Sequence, residues 1–496
     1  MSGPVNGPRK RQVSDKANVA TAAATKPPRP LRMERRMTSA EALMWTLERD
    51  PILRSSFISL TLLEGKPDFD RFRRRMAAAV HALPRLRQRV RGGRPLQVSW
   101  PEWVDDESFD LDYHVRRVAL PEPGSMEQLL ELAAVEAQDN FDLARPLWTI
   151  WIVEGVEGGR AALLSKMHHT ITDGVGGVRL SAQFIDLAPD TPDPPDPTTQ
   201  SPTNPAGPTD PDRTNPATDP TEPGRPLLPA AVQQLARTTR LAATTAAASV
   251  RHPMSTVETG RSLFRQAFIT ESSRSPLWTG RRGLARHFEI LSFDLDQAKR
   301  AAHALGGSLN DIYTAGLAGG VGAYHQALGF EVEELRMSMA VSTRQDKSAG
   351  GNAFAPARLL VPTGAKDPRQ RFEAVKERLA EARSERSLGV ADALAGVLTT
   401  LPAPLLVRMA RQQVQTVDFA TSNVRGAPFD LYVAGARILA NHPFGPTGGT
   451  ALNATVLSYK GSMDVGLNCD TAAITEPVRL RRCIEDAFNE LLHLAG

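Results

Sequence analysis

The chain has 496 residues, of which 41% are hydrophobic and 23% are charged, so it can form one or two cores of a soluble protein. Its net charge of +4 is small and no nucleic-acid-binding motif accompanies it, which argues against a nucleic-acid partner. The two cysteines, Cys469 and Cys483, are too few for a disulfide framework or a thiolate-rich metal site, so we expect a cytoplasmic protein. We also expect a disordered tail at residues 1–32 and no membrane-spanning segment.

Strand and helix patterns alternate in the first half. Residues 55–63 are a β-rich run that predicts a strand. Residues 69–90 have helical spacing that is broken near Pro84. The runs 148–155 and 160–169 predict two strands joined by a glycine-containing turn. These patterns indicate a mixed α/β (α+β) fold.

A proline-rich segment then interrupts these patterns. Residues 189–229 hold 14 of the 38 prolines, many Asp and Thr, and almost no apolar side chains. Such a segment cannot bury enough apolar surface to offset the entropy of ordering it, so we expect an extended linker. The linker separates an N-terminal domain, residues 33–188, from a connecting helix and C-terminal domain, residues 230–496.

The second half repeats the mixture of elements. Residues 287–295 and 334–342 predict strands, whereas 295–305 and 309–328 have helical periodicity. No internal repeat relates the two halves.

The stretch MHHTITDGVGG, residues 167–177, is the strongest chemical signal in the chain. It places His168 and His169 at a strand end, before a glycine-rich loop that leads into a helix. A histidine held there can have one ring nitrogen anchored and the other facing a cavity, as a general base requires. Adjacent strand residues point to opposite faces, so only one of the two can face a given cavity. Asp173 either orients an imidazole or pairs with an arginine.

Other kinds of site fit this stretch less well. No third histidine or carboxylate stands at ligand spacing, so we expect no metal. No GxSxG nucleophile elbow is present, which favours direct transfer to an outside hydroxyl over a covalent acyl-enzyme. A purely structural role for the histidine pair stays open on spacing alone.

The motif HHTITDG resembles the HHxxxDG motif of the coenzyme A-dependent acyltransferase superfamily. The chain is similar to the bacterial wax ester synthase/diacylglycerol acyltransferase family over about residues 33 to 496, apart from the linker. Further family-like stretches follow in order: FDLARPLWTIWIVEG (141–155), SLNDIYTAGLAGG (308–320), VSTRQDKSAGGNAF (341–354), TSNVRGAP (421–428) and LSYKGSMDVGLNCD (457–470).

This resemblance implies a two-domain, chloramphenicol acetyltransferase-like fold with the active site in a tunnel between the domains. By similarity, His169 is the base, His168 supports it, Asp173 is mainly structural, and Gly174 leaves room for substrate. Asn310 and Asp311 match the family's ND pair, which lies near the reacting centre.

The sequence leaves the roles of an asparagine, a loop arginine and a run of helix arginines open. Asn310 is a candidate oxyanion donor, but SLND before a helical run also fits a helix cap. Arg425 stands where the family usually has proline after SNV, which puts the shape of that loop in question. The arginines Arg73, Arg74 and Arg75 predict a solvated helix face that could also meet phosphate groups.

The expected function is transfer of a long-chain acyl group from acyl-CoA to diacylglycerol, forming triacylglycerol, or to long-chain alcohols, forming wax esters. Acyl-CoA is then a substrate and no cofactor is expected. Because the products are lipids, we expect a peripheral location at the inner face of the plasma membrane or on lipid droplets. The alternatives are a condensation-type enzyme acting on carrier-protein substrates and a non-catalytic lipid-binding protein.

Overall fold

The computed structural model describes residues 34–92, 100–172, 174–194, 275–280, 282–342, 354–365, 367–384, 398–399 and 401–494. Asp173, the expected tail at residues 1–32, most of the predicted linker and the predicted connecting helix after it lie outside these residues.

Before the linker, the described chain alternates short strands with helices. The elements are α1 (Ser39–Leu47), β1 (Ser56–Leu63), α2 (Phe69–Ala82), a 3-10 turn (Pro84–Arg87), β2 (Gln88–Arg91), β3 (Glu102–Asp105), α3 (Leu111–His114), β4 (Val115–Ala119), α4 (Met126–Gln138), β5 (Trp148–Val156), β6 (Arg160–His168) and α5 (Gly174–Ser181). The break expected at Pro84 is confirmed, because α2 ends at Ala82.

After the linker, longer helices accompany the strands. The elements are β7 (Arg286–Asp294), α6 (Leu295–Ala304), α7 (Leu309–Ala327), β8 (Glu334–Ser342), β9 (Phe354–Pro362), α8 (Pro368–Ser384), α9 (Ala403–Val414), β10 (Phe419–Arg425), β11 (Tyr432–Val433), β12 (Ala436–Phe444), β13 (Leu452–Tyr459), β14 (Ser462–Asp470) and α10 (Pro477–His493).

Two six-stranded sheets organise these elements. The first has the order β11-β12-β1-β6-β5-β4 and the second the order β7-β14-β13-β10-β8-β9. Strand β12 follows the linker but pairs antiparallel with β1, with Thr61 opposite Asn441. The first sheet therefore contains strands from both sides of the linker, an exchange that the expected domain ranges 33–188 and 230–496 do not include.

Helices cover the sheets and close the cores. In the second half α7 packs directly against α10. A Cβ atom added at Gly320 would lie 2.3 Å from the Cα of Ile484, so glycine is required at this close approach. Helix α4 packs against both β1 and β7, joining the two halves. The predicted mixed α/β, two-domain architecture is confirmed.

The solvated face expected for the arginines of α2 is confirmed for Arg73 and Arg74, which are exposed, but not for Arg75. Arg75 is buried and its Nη1 lies 2.8 Å from Oδ1 of Asp186. Arg74 pairs with Asp193, and Arg71 donates to the carbonyl oxygen of Pro189 at 2.7 Å. These side chains bind the first residues of the predicted linker, so in this structure they bind protein carboxylates and carbonyls.

The described residues were expected to contain neither a membrane-spanning helix nor a metal site. Within the described residues, no helix has both the length and the apolar content needed to cross a bilayer. The same part of the chain holds no cluster of three or more His, Cys, Asp or Glu side chains arranged as metal ligands. Cys469 is buried and Cys483 is half-buried, and both are free thiols.

Candidate active site

The motif lies where the first sheet meets the second half of the chain. Strand β6 ends at His168, and α5 begins at Gly174. Helix α5 packs against β10 of the second sheet. The predicted strand-loop-helix placement of the motif is therefore observed, while the contacts of Asp173 lie outside the described residues.

His168 is fully buried and uses both ring nitrogens to bind protein atoms. Its Nδ1 accepts the backbone N–H of Thr170 at 3.1 Å and lies 2.7 Å from the Thr170 hydroxyl. Its Nε2 lies 2.9 Å from Oε2 of Glu48. Because a backbone N–H can only donate, the ring proton is assigned to Nε2, which donates it to Glu48. Both ring nitrogens of His168 are therefore used in hydrogen bonds within the protein.

His169 lies on the other side of the sheet. Its backbone N–H donates to the carbonyl oxygen of Ser55 at 3.0 Å, and its half-buried ring contacts the Phe57 ring with centroids 4.8 Å apart. His168 is the register partner of Ser56, whereas Phe57, the next residue of β1, points to the opposite face and contacts the His169 ring. The two imidazoles therefore face opposite ways, as the sequence predicts.

The side on which His169 lies is shared by both halves of the chain. Phe57 belongs to an apolar cluster that also contains Val424, Leu457 and Tyr459 from β10 and β13. Through Phe57, the His169 ring therefore contacts a cluster to which both sheets contribute.

Asn310 and Asp311 have different environments at the start of α7. Asp311 is buried, and its Oδ2 accepts from the backbone N–H of Ser308 at 2.7 Å and from its hydroxyl at 2.8 Å. Ser308 is thus the N-cap, so the expectation that Asn310 caps the helix is wrong. Arg383 donates to Oδ1 of Asp311 at 3.1 Å. Asp311 is therefore engaged in capping α7 and in an ion pair.

Asn310 is held by a neighbouring amide. Nδ2 of Asn423, on β10, donates to Oδ1 of Asn310 at 3.3 Å. Nδ2 of Asn310 points to the sulfur of Met339 at 3.7 Å, a weak acceptor. The Asn423 contact orients the Asn310 amide with its N–H groups directed away from Asn423. Asn423 was not predicted as a site residue, although it lies within the quoted TSNVRGAP stretch.

Arg425 does not break the strand that carries Asn423. Strand β10 continues through Arg425, which is the register partner of Ser458 on β13. Gly426 then donates its backbone N–H to the carbonyl oxygen of Ser458 at 2.9 Å. The chain keeps an extended shape where proline was expected.

Glu48 and Ser55 were also missed by the sequence analysis. Glu48 caps the C-terminus of α1, and its Oε2 accepts the backbone N–H of Ser55 at 3.0 Å as well as the His168 proton. A single carboxylate at this place in the sequence carries no pattern that indicates such a role, because its partner is 120 residues away.

A third histidine near the motif strand has a structural environment. His114 is buried between the rings of Phe109 and Trp148, at centroid distances of 5.2 Å and 4.5 Å. Its Nδ1 donates to the carbonyl oxygen of Trp148 at 2.6 Å. Burial lowers the pKa of His114 to about 4, and the hydrogen bond to the carbonyl only partly opposes this. His114 is therefore neutral at pH 7.

Comparison with known proteins identifies the family. Residues 26–313 match the model of the wax ester synthase/diacylglycerol acyltransferase catalytic domain, and residues 350–492 match that family's C-terminal domain. The chain belongs to this family. At the level of the family, the wax ester synthase/diacylglycerol acyltransferase activity is O-acyl transfer from acyl-CoA.

Relatives within this family match along most of their length. A protein of Mycobacterium tuberculosis, provisionally named as a diacylglycerol O-acyltransferase, is 36% identical over 472 residues, which cover 94% of this chain and 93% of the relative. The O-acyltransferase WSD of Acinetobacter baylyi is 29% identical over 376 residues, covering 74% and 77%.

Solved structures share the fold. The wax ester synthase/diacylglycerol acyltransferase of Marinobacter aquaeolei superposes with a TM-score of 0.64 at 22% identity, covering 93% of this chain and 100% of that one. A starter condensation domain of rhizomide synthetase superposes with a TM-score of 0.58 at 12% identity, covering 93% and 94%. Both similarities are at low sequence identity and extend to the fold alone.

Proposed function

We propose that this chain transfers a long-chain acyl group from acyl-CoA to the hydroxyl of diacylglycerol, forming triacylglycerol, and that long-chain alcohols are also acceptors, giving wax esters. The observation that carries the proposal is the contrast between the two histidines. His168 is fully buried and binds Glu48 and Thr170, whereas His169 is half-buried and its ring contacts Phe57 of a cluster to which both sheets contribute. Family membership supplies the acyl-CoA chemistry.

In the proposed reaction His169 is the general base. An alcohol is a far weaker acid than imidazolium, so its proton must leave as the oxygen attacks the thioester carbonyl. A ring nitrogen of His169 takes that proton, the C–O bond forms, and the C–S bond then breaks. The imidazolium returns the proton to the coenzyme A thiolate. The products are an ester and free coenzyme A, and His169 is neutral again.

The developing oxyanion requires hydrogen-bond donors. Asn310 is our candidate, because Asn423 fixes its amide through Oδ1 and, among the residues that the structure describes, its Nδ2 donates to the sulfur of Met339, a weak acceptor. Side-chain amides serve as oxyanion donors in acyl transfer, where one donor is typically worth about 10²–10³ in rate. Asp311 contributes indirectly, since its capping interaction fixes the helix turn that carries Asn310.

We further propose that the protein works at a lipid surface as a peripheral enzyme. Diacylglycerol and the ester products partition into lipid, and the chain has a small positive charge. Acyl-CoA enters as a substrate, and the proposed reaction uses no cofactor.

A substrate assay tests the proposed function. The purified full-length chain is incubated with labelled palmitoyl-CoA and either diacylglycerol, hexadecanol or no acceptor, and the lipid products are separated. We expect labelled triacylglycerol with the first acceptor and wax ester with the second, together with free coenzyme A. A folded protein that releases neither ester would contradict the proposal.

A further inference from the structure

One short segment contacts both the motif histidines and the second half of the chain. Residues 48–55, here called the 48–55 segment, connect α1 to β1 and carry two carboxylates. Glu48 accepts hydrogen bonds from His168 and from the Ser55 backbone, and the Ser55 carbonyl in turn accepts from His169. Both histidines of the motif are therefore bound to this one segment.

The second carboxylate of the segment points to the other half. Asp50 is 6% exposed, and its two oxygens accept from Nε and Nη2 of Arg411, the Nη2 contact being 2.9 Å. The Asp50 Oδ1 also accepts the backbone N–H of Ile52 at 2.9 Å, which fixes the carboxylate within the segment. Such a two-point arginine-carboxylate contact restricts orientation as well as distance.

Arg411 lies in the last turn of α9, which packs against α1. This helix leads directly into β10, and the loop between them is fixed where Asp418 accepts the backbone N–H of Arg336 at 2.7 Å. Strand β10 carries Asn423, which orients Asn310. The Asp50–Arg411 contact therefore connects the segment that holds the histidines to the helix and strand that hold the amides.

We propose that Arg411 is a positioning residue that fixes the placement of the His169 ring relative to the Asn310 amide. This inference rests on the proposed function, since it assigns a geometric role within that site. The base follows a strand of the first sheet, whereas the oxyanion donor lies on α7 and is held by Asn423 of the second sheet, so their separation depends on contacts between the two halves. A misplacement of about 1 Å in a catalytic group can cost up to about 10²-fold in rate.

The expected effect is on the rate of the folded enzyme, in addition to a loss of stability. The Arg411 side chain is 49% exposed, but its partner Asp50 is 6% exposed, so removing Arg411 leaves a buried carboxylate without its ion partner. Replacing Arg411 by methionine keeps the aliphatic stem and removes both hydrogen bonds to Asp50. A purely structural contact would lower the melting temperature without changing kcat in the remaining folded enzyme.

A matched control exists at the opposite end of β1. Arg437 of β12 makes the same two-point contact with Glu64, at 2.7 Å and 2.8 Å. This pair also joins the two sides of the linker, but it lies beyond Leu63, far along the strand from Ser56 and the histidines. Arg437→Met therefore removes a two-point arginine–carboxylate contact away from the site, although the Glu64 side chain is 57% exposed and that of Asp50 only 6%.

The test compares steady-state kcat and KM for acyl transfer to hexadecanol, and single-turnover rates report the chemical step alone. For Arg411→Met we expect kcat to fall about tenfold with KM within about twofold, because positioning acts on the transition state. Arg411→Lys, which keeps one charged donor, should recover part of the rate. Arg437→Met should match the wild type. Equal rates for Arg411→Met and wild type would overturn the inference while leaving the proposed function intact.

A second measurement does not depend on turnover. In protein labelled with ¹⁵N-histidine, the ring signals of His168 and His169, assigned from His168→Gln and His169→Gln variants, report their environments directly. We expect Arg411→Met to shift these signals and Arg437→Met to leave them unchanged. Unchanged signals in Arg411→Met would refute the positioning role, whether or not the wild-type chain transfers acyl groups. A wild-type chain without acyl transfer would refute only the proposed function.

Discussion

At the scale of single residues, the two motif histidines differ in burial and in hydrogen bonding. His168 is buried with a defined tautomer, because Thr170 donates to Nδ1 and Glu48 accepts from Nε2. Removing the Glu48 carboxylate would leave buried polar groups without hydrogen bonds, which costs about 1–3 kcal/mol for each group. Glu48 is thus expected to act on stability and activity together.

This expectation can be tested by two substitutions. Glu48→Ala should lower the unfolding free energy by about 2–4 kcal/mol, since it removes the acceptor for both His168 and the Ser55 backbone. Glu48→Gln should retain most of that stability, because the amide oxygen can still accept. Denaturant unfolding measures both, with Glu64→Ala as the exposed control. Equal stability of Glu48→Ala and wild type would contradict the observed hydrogen bonds.

His114 gives a pH-dependent prediction. Its pKa is about 4 in the folded protein against 6.5 ordinarily, so between these values the unfolded chain binds a proton that the folded chain does not. Its contribution to stability is therefore complete above pH 6.5 and is lost as the pH falls toward 4. From pH 7 to pH 4, His114→Asn should lose less unfolding free energy than the wild type, by up to about 3 kcal/mol. If His114→Asn and the wild type lost the same unfolding free energy over this pH range, the assignment to His114 would be wrong. His81→Asn, at an exposed position on α2, is the control.

At the scale of elements, local sequence patterns predicted those parts whose partners are close in the chain. The β-rich run before Leu63, the break at Pro84 and the strand ending at His168 all appear as expected, because alternation, proline and turn glycines act within a few residues. Which residue caps α7 was less evident. Ser308, Asn310 and Asp311 all favour helix starts, and only the backbone geometry selects Ser308.

The capping box of α7 provides a test of how helix position affects the site. Ser308→Ala should cost about 1 kcal/mol of stability, and so should Ser125→Ala, which removes the equivalent capping box of α4. Only Ser308→Ala should also lower kcat, by about tenfold, because the first turn of α7 carries Asn310. Thermal unfolding and acyl-transfer rates of the two variants make the comparison. Equal rates in both would argue against a role for Asn310.

At the scale of the whole molecule, long-range pairing decides what the sequence could not reveal. Strand β12 joins β1 although Thr61 and Asn441 are separated by the linker and most of the second half. Glu48, Asp50 and Arg411 likewise meet only in the fold. Alternation indicates that β12 is a strand but says nothing about which sheet it enters, so the junction between the halves needed the structure.

The proposed peripheral location is a property of the whole surface. With a small positive net charge, we expect the protein to float with anionic liposomes at low salt and to be released at high salt, since screening weakens the attraction. Neutral liposomes are the control. A protein that stays entirely in the unbound fraction at low salt would contradict this location.

The central claim is that His169 is the base and His168 its support. The most direct measurement is the single-turnover rate of ester formation from palmitoyl-CoA and hexadecanol for wild type and His169→Ala, with circular dichroism and thermal melting to establish folding. We predict a loss of about 10²–10⁴ in rate with KM little changed, because the proton transfer belongs to the transition state. A folded His169→Ala protein that forms ester within a few-fold of the wild-type rate would contradict the mechanism.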